Sequence, residues 1–264
     1  MSKIKANNLM NYLNDLFPQS KAAEWDTVGL QLEEVYNLAS QDEIENIVVC
    51  LDVTTEVVQK AIELKSNFII SRHPFIFKTL EEEMLNPAKK RIYDLCLEHE
   101  IQIFSIHTNY DSSESQNLIE LLESQLNIKS HEKFGELNEG FKIKLLREVT
   151  LNELIEKLKF IFGRKNTLLT KNSDLEKFVS KFYLTPGSGA DTMLNMQLTD
   201  CVFITGDAKW NEWLYADQNN IDMFILGHYM ENHFIDDIKN KIYKTFNDEV
   251  NVYAFDIRNT FRYV

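Results

Sequence analysis

The sequence lacks the cysteine pairs, basic clusters and long apolar runs that mark several large classes of protein. Its three cysteines, Cys50, Cys96 and Cys201, lie in apolar stretches and form no Cys-x-x-Cys pair, which favours buried thiols in a reducing compartment. With 28 basic against 41 acidic residues and no dominant Lys/Arg cluster, the net charge of −13 argues against a nucleic-acid partner. No apolar run approaches membrane-spanning length and the N-terminal residues do not resemble a signal peptide, so we expect a cytoplasmic protein without a membrane partner.

The sequence does contain a regular alternation of strand-length apolar runs and amphipathic helical segments. Residues 47–51, for example, are continuously apolar, and the stripe at helical spacing that follows them begins after a capping residue, Thr54. This alternation predicts an α/β fold with mostly parallel or mixed sheets and helices on their faces. The most polar long connection, 129–140, suggests two intertwined α/β halves, residues 1–130 and 131–264.

Two stretches of the chain match each other at one spacing. Each runs from an aspartate after an apolar strand, through a helical segment, to a histidine after a second strand; the first joins Asp52 to His73 and the second joins Asp207 to His228. Such a self-match indicates a duplicated β-α-β unit. It predicts an imidazole at the carboxyl end of a strand in each copy, where open α/β sheets bind their ligands.

Several residues of the kind that bind metals follow apolar strands. Imidazole and carboxylate groups together suit zinc, iron, manganese or nickel, although a single histidine in such a place is more often a hydrogen-bonded core or surface residue. Both interpretations stay open from the pattern alone. The candidates are His73, His107, Asp111, His228 and Glu231.

Two further features could bind an anion. Residues 185–191 (TPGSGAD) form a glycine turn before a helical segment, which is either an anion cradle or a plain turn, since the full phosphate-loop signature is missing. Lys209 follows the end of a strand. It either faces the ligand crevice at the carboxyl ends of the strands or is a solvated helix residue.

Five short segments, in this order, resemble the Nif-three-like family of hexameric proteins with a dinuclear metal centre. Some members of that family carry the name GTP cyclohydrolase I type 2. The resemblance covers nearly the whole chain and is to the compact version of the family, without an inserted domain. The segments are 24–31 (EWDTVGLQ), 71–77 (SRHPFIF), 107–111 (HTNYD), 205–209 (TGDAK) and 227–229 (GHY).

The resemblance implies a set of metal ligands that this chain keeps only in part. The family has two adjacent histidines before the proline and both bind metal; here the second is His73, whereas Arg72 stands at the first position. The family's aspartate matches Asp111 and its late histidine matches His228.

The family's bridging glutamate, four residues after the late histidine, is Asn232 here, and Glu231 lies one place early. A guanidinium has no lone pair for a metal and an amide is a weak ligand. We therefore expect at most one well-bound divalent ion (Zn, Fe or Mn), held by His73 or His228 together with Asp111, with Glu231 as a further candidate ligand. The two histidines and the aspartate are expected to converge on one cavity. Arg72, together with Lys209, is predicted to bind a phosphate or carboxylate in place of the second cation.

The sequence leaves two functions open. The first is a metal-dependent hydrolase with His107 as general acid or base. The resemblance implies a purine nucleotide such as GTP as its substrate, and hydrolysis of a phosphoester would use the same residues equally well. The alternative is a non-catalytic, hexameric and toroidal scaffold that binds a metal or a small ligand, which the loss of two expected ligands favours.

Overall fold

A computed structural model describes residues 3–32 and 43–256 of the chain. These residues divide into two compact units, one drawn from Met1–Gln116 and Phe234–Val264 and the other from Asn117–His233. The chain leaves the first unit once and returns to it with its last helix. The boundary suggested by the sequence, between residues 130 and 131, thus lies inside the second unit.

Strands and helices alternate through both units. The described strands are β1 (Ile4–Lys5), β2 (Gly29–Leu30), β3 (Glu43–Ile44), β4 (Asn46–Cys50), β5 (Phe68–Ser71), β6 (Gln102–Ser105), β7 (Ile128–Phe134), β8 (Gly140–Thr150), β9 (Leu168–Leu169), β10 (Phe178–Leu184), β11 (Val202–Thr205), β12 (Asp222–Ile225) and β13 (Asn251–Phe255). The described α-helices are α1 (Ala6–Leu16), α2 (Thr55–Glu63), α3 (Leu80–Met84), α4 (Pro87–Glu98), α5 (Thr108–Ser112), α6 (Leu118–Glu123), α7 (Leu151–Ile161), α8 (Ala190–Asn195), α9 (Trp210–Gln218) and α10 (His233–Phe246).

The first unit is built on a five-stranded sheet in the order β13-β4-β5-β6-β2. The first four of these strands are parallel and β2 is antiparallel to β6. Continuous apolar strands such as β4 are buried on both faces, as a sheet between helices requires. The cap predicted at Thr54 is confirmed, because its Oγ1 accepts from Val57 N at 3.3 Å. Asn86-Pro87 predicts an N-cap followed by proline at the first helical position, and Asn86 Oδ1 accepts from Ala88 N at 2.9 Å at the start of α4.

The second unit is built on a six-stranded mixed sheet in the order β7-β8-β10-β11-β12-β9. Its middle strands β10, β11 and β12 are parallel, and the others run antiparallel to their neighbours. The interpretation of 129–140 as a polar connection was wrong, because β7 begins at Ile128 and pairs with β8. Polar, exposed side chains are typical of an edge strand, whose outer side faces water.

The duplicated unit predicted from the sequence is present in both sheets. The strands of β4-α2-β5 are parallel neighbours in the first unit, and those of β11-α9-β12 are parallel neighbours in the second. Every residue of these four strands is buried except Asn46, the first residue of β4, which is partly buried. The mixed α/β fold expected from the alternation of segments is thereby confirmed.

The sequence of residues 230–246 predicts one long helix, but the α-helix begins only at His233, and a separate 3-10 turn, His228–Asn232, precedes it. This tighter turn alters which side chains meet, because residues three apart lie on top of each other in a 3-10 helix. It therefore brings position 231, rather than 232, next to His228.

The cysteines form no disulfide. Cys50 and Cys96 are buried, and burial raises the pKa of the Cys96 thiol to about 12, so that it stays protonated. Cys201 is only partly buried. Within residues 3–32 and 43–256, no helix has the length and apolarity to cross a bilayer, and the cytoplasmic location stays a prediction.

Candidate metal centre

In the second unit, the backbone fixes the aspartate and histidine that end the second β-α-β copy. Past the ends of β11 and β12, Leu226 N and Gly227 N donate to Thr205 O and Gly206 O at 2.9 and 3.0 Å. Gly206 has no side chain, and a Cβ there would lie 3.1 Å from the Cα of His228. The two chain segments therefore come close enough for the ring of His228 to reach Asp207.

The imidazole of His228 lies between two carboxylates. Its Nδ1 is 2.6 Å from Oδ2 of Asp207, and its Nε2 is 3.2 Å from Oε2 of Glu231. The hydrogen bonds with Asp207 and with Glu231, acting against partial burial, raise the pKa of His228 to about 10. A metal ion that bound Nε2 would therefore displace a proton.

Glu231 is buried, and the glycine turn of residues 185–191 packs against it. A Cβ at Gly187 would lie 2.6 Å from Oε1 of Glu231, so the close approach of the carboxylate requires glycine there. The carbonyl of Gly187 also accepts hydrogen bonds from Gly206 N and Asp207 N, at 2.9 and 3.0 Å. Of the two interpretations of the turn, these contacts favour a structural one: it holds the residues around His228 in place.

The first unit carries a second pair of the same kind. Arg72 N and His73 N donate to Cys50 O and Leu51 O, which extends the pairing of β4 and β5 beyond the strands. The Nδ1 of His73 lies 2.9 Å from Oδ1 of Asp52. Each β-α-β copy thus ends in a histidine that its own aspartate holds through Nδ1.

Arg72 takes a protein carboxylate as its partner. Its side chain is 2% exposed, and Nη2 donates to Oδ2 of Asp111 at 2.6 Å. Nη1 donates to the carbonyl oxygen of His107, and the guanidinium carbon lies 5.4 Å from the centre of the Tyr110 ring. The fixed cation expected from the sequence therefore neutralises Asp111; that Arg72 also holds an external anion stays a prediction.

His107 precedes α5, and its Nδ1 lies 3.0 Å from Oδ1 of Asp26. The other oxygen of Asp26 accepts from Thr108 N at 3.0 Å and from the Thr108 hydroxyl. Burial raises the pKa of Asp26, but the hydrogen bonds from His107 and Thr108 outweigh it, so the pKa lies below its usual 3.8. The ring of His107 packs edge-on against the rings of Trp25 and Phe77, with a distance of 5.9 Å between ring centres in each case. A histidine held in this way through Nδ1 keeps Nε2 for proton transfer.

Lys209 lies at the N-terminus of α9 with a side chain that is 76% exposed, and its Nζ is 3.6 Å from Oε1 of Glu212. These contacts favour the solvated interpretation of this lysine, and a role in anion binding stays a prediction.

Among the residues that the structure describes, His73, His228 and Glu231 offer side-chain atoms suited to a metal ion. Imidazole nitrogen and carboxylate oxygen are a donor set that fits zinc, iron or manganese. The assignment of Asp111 as a further ligand, and its convergence with the two histidines, stays a prediction. Sequence reasoning missed the three aspartates that hold the histidines, namely Asp26, Asp52 and Asp207, although two of them begin the repeats.

The fold and these pairs define an α/β protein with two β-α-β copies, each ending in a histidine held by a carboxylate. Residues 4–260 match the model of the Duf34/NIF3 (NGG1p interacting factor 3) family, and the chain belongs to this family. The resemblance noted from the five short segments is thereby confirmed.

Relatives of known name match most of the chain. A GTP cyclohydrolase 1 type 2 homolog from Mycoplasmopsis pulmonis is 31% identical over 252 residues, which are 94% of this chain and 96% of the relative. The GTP cyclohydrolase 1 type 2 of Helicobacter pylori is 25% identical over 222 residues, 84% of each chain. The crystal structure of a Bacillus cereus protein related to NIF3 covers 100% of both chains with a TM-score of 0.82 at 18% identity, which shows a shared fold.

Proposed function

We propose that this protein binds one divalent metal ion per chain, with Nε2 of His228 and the carboxylate of Glu231 as ligands. The observation that carries the proposal is the placement of these two groups 3.2 Å apart, with the ring held from its other side by Asp207. Glu231 is almost fully buried, and a buried carboxylate next to an imidazole is a favourable starting point for a metal site.

The single ion, rather than two, follows from the pairing of Arg72 with Asp111. A carboxylate that already has a guanidinium at 2.6 Å has less to gain from a cation. Arg72 also supplies a permanent positive charge in the family position where a histidine would bind metal. His73, whose Nδ1 is held by Asp52, is the remaining candidate ligand in the first unit.

We further propose that the protein is a metal-dependent hydrolase of a purine nucleotide such as GTP. The names of the relatives from Mycoplasmopsis pulmonis and Helicobacter pylori support this substrate class. The ion would supply Lewis-acid activation of water. His107 would take up or release a proton at Nε2, because its Nδ1 is committed to Asp26.

A nucleotide assay with matched histidine variants tests this proposal. The purified chain is incubated with GTP and a panel of nucleotides and phosphoesters, with and without Mn²⁺, Zn²⁺ or Fe²⁺. We expect His228→Ala to lose both metal and turnover, and His107→Ala to lose turnover while it keeps the metal. His131→Ala, which removes an exposed histidine on β7, should change neither.

A second candidate function is a non-catalytic protein that binds a metal or a small ligand. The Arg72–Asp111 pair favours it, because Arg72 stands where the family has a metal-binding histidine and already pairs with Asp111. In that case nucleotides or phosphoesters would raise the melting temperature without being turned over. Turnover that depends on His107 would exclude this alternative.

We propose a hexamer as the assembly, in keeping with the family resemblance. Large apolar side chains that the single chain leaves in water support self-association: Trp25, Phe160, Phe178 and Trp210 are each more than 60% exposed. Light scattering on the eluting peak of a sizing column tests it, and the mass of a single chain, 31.0 kDa, would contradict it.

A further inference from the structure

The two β-α-β copies carry the same hydrogen-bonded pair at the same sequence separation. Asp52 and His73 are 21 residues apart and 2.9 Å from each other, and Asp207 and His228 are 21 residues apart and 2.6 Å from each other. We propose that Asp52 and Asp207 are positioning residues, which orient each imidazole so that its Nε2 is the atom presented to a metal. This inference rests on the metal-binding function proposed above.

The geometry of the imidazole ring determines where Nε2 points once Nδ1 is held. A ring held through Nδ1 directs Nε2 to the opposite side, and a carboxylate on Nδ1 also strengthens Nε2 as a ligand. In the second unit, Nε2 of His228 faces the carboxylate of Glu231, which is the other proposed ligand. The aspartate therefore aims the ring at the place where the ion is expected.

The backbone holds both members of each pair. Asp207 N donates to Gly187 O at 3.0 Å, and His228 follows a glycine whose N–H continues the pairing of the two strands. In the first unit, His73 N donates to Leu51 O, the residue just before Asp52. Neither ring can turn far without losing its hydrogen bond to the aspartate.

Stability of the fold does not explain these aspartates. The side chains of Asp52 and Asp207 are 48% and 50% exposed, and ion pairs at such places add little to the free energy of unfolding. The side chain of Asp26, by contrast, is fully buried and also accepts a hydrogen bond from the first residue of α5, so Asp26 has a clear structural role. The two half-exposed aspartates, Asp52 and Asp207, therefore form the Asp–His pair that is repeated in the two copies.

The metal affinity of the 264-residue chain measures the effect. Zn²⁺ is titrated in competition with a chromophoric chelator, and the absorption spectrum of the Co²⁺ form reports the ligand geometry. Loss of such a partner typically lowers affinity by about 10–100-fold. We expect this loss in Asp207→Ala and, through the remaining candidate ligand His73, in Asp52→Ala, with a shifted Co²⁺ spectrum. A smaller loss is expected in Asp207→Asn and Asp52→Asn, because the amide oxygen still accepts from Nδ1.

The control is Asp200→Asn, which changes an exposed aspartate in the second unit. The backbone φ of Asp200 is 49°, a conformation that asparagine tolerates. Its affinity should equal that of the wild type, and the melting temperatures of all metal-free variants should agree. If the wild type binds no Zn²⁺, the proposed function fails. If the wild type binds and the four aspartate variants match Asp200→Asn in affinity and spectrum, the positioning role is overturned while metal binding stands. Should an alanine variant fail to fold, the asparagine variant of the same residue decides.

Discussion

The buried ion pair between Arg72 and Asp111 gives the sharpest test of stability. The two side chains are 2% and 15% exposed, and their charged atoms lie 2.6 Å apart. Removing one partner of such a pair costs about 3–5 kcal/mol, because the other charge has been taken out of water and loses its counter-charge. We therefore expect Arg72→Met to lower the free energy of unfolding by about this amount.

Urea unfolding in the presence of EDTA, followed by circular dichroism, measures the change. A second substitution, Asp111→Asn, made in the Arg72→Met background, should cost much less than it does alone, since the charge that it removes no longer has its partner. The matched control is Lys90→Met, which breaks the exposed pair of Lys90 with Asp94 and should change stability by less than about 1 kcal/mol. The reasoning is refuted if Arg72→Met behaves like Lys90→Met, or if the effects of the Arg72 and Asp111 substitutions simply add.

Three further outcomes follow from the same contacts. Arg72→His replaces a group that cannot bind metal by one that can, so metal content should rise by about one equivalent per chain in elemental analysis. Unchanged metal content would contradict the claim that Arg72 stands at a metal-ligand position. Asp26→Asn removes a carboxylate whose folded pKa lies below 3.8, so the wild type should be the more stable of the two at neutral pH. The difference should vanish as the pH falls through that lowered pKa, and a difference independent of pH in urea unfolding would contradict the assignment. Gly187→Ala should weaken Zn²⁺ binding, because its Cβ would lie 2.6 Å from Glu231, whereas Gly163→Ala, with the same positive φ but open space around it, should strain the backbone and leave the affinity unchanged.

The sequence could predict those parts of the fold that depend on local pattern. The continuous apolar run that became β4 and the caps at Thr54 and Asn86 are local signals, and all three are found in the structure. The strand β7 gave no such signal, because an edge strand with polar side chains on both faces has the composition of a loop.

The candidate site was predictable as a set of residue types but not as a set of contacts. The repeat identified His73 and His228 because each follows a strand. It also contained Asp52 and Asp207, yet their hydrogen bonds depend on how the two strands of each copy lie side by side, which spacing alone does not reveal.

The pairing of Arg72 with Asp111 joins residues 39 positions apart in the chain, and so depends on tertiary structure. The contact of Glu231 with His228 depends on a 3-10 turn in a stretch that the sequence assigned to a helix. All four residues were recognised in the sequence, but the pairing of Arg72 with Asp111 was not.

The metal content of the purified protein tests the central claim most directly. Elemental analysis of protein prepared without chelators, combined with anomalous diffraction at the metal edge, gives both the number of ions and their ligands. We predict one ion per chain, bound to Nε2 of His228 and to Glu231. Two ions per chain, or one ion bound without either of these residues, would contradict it.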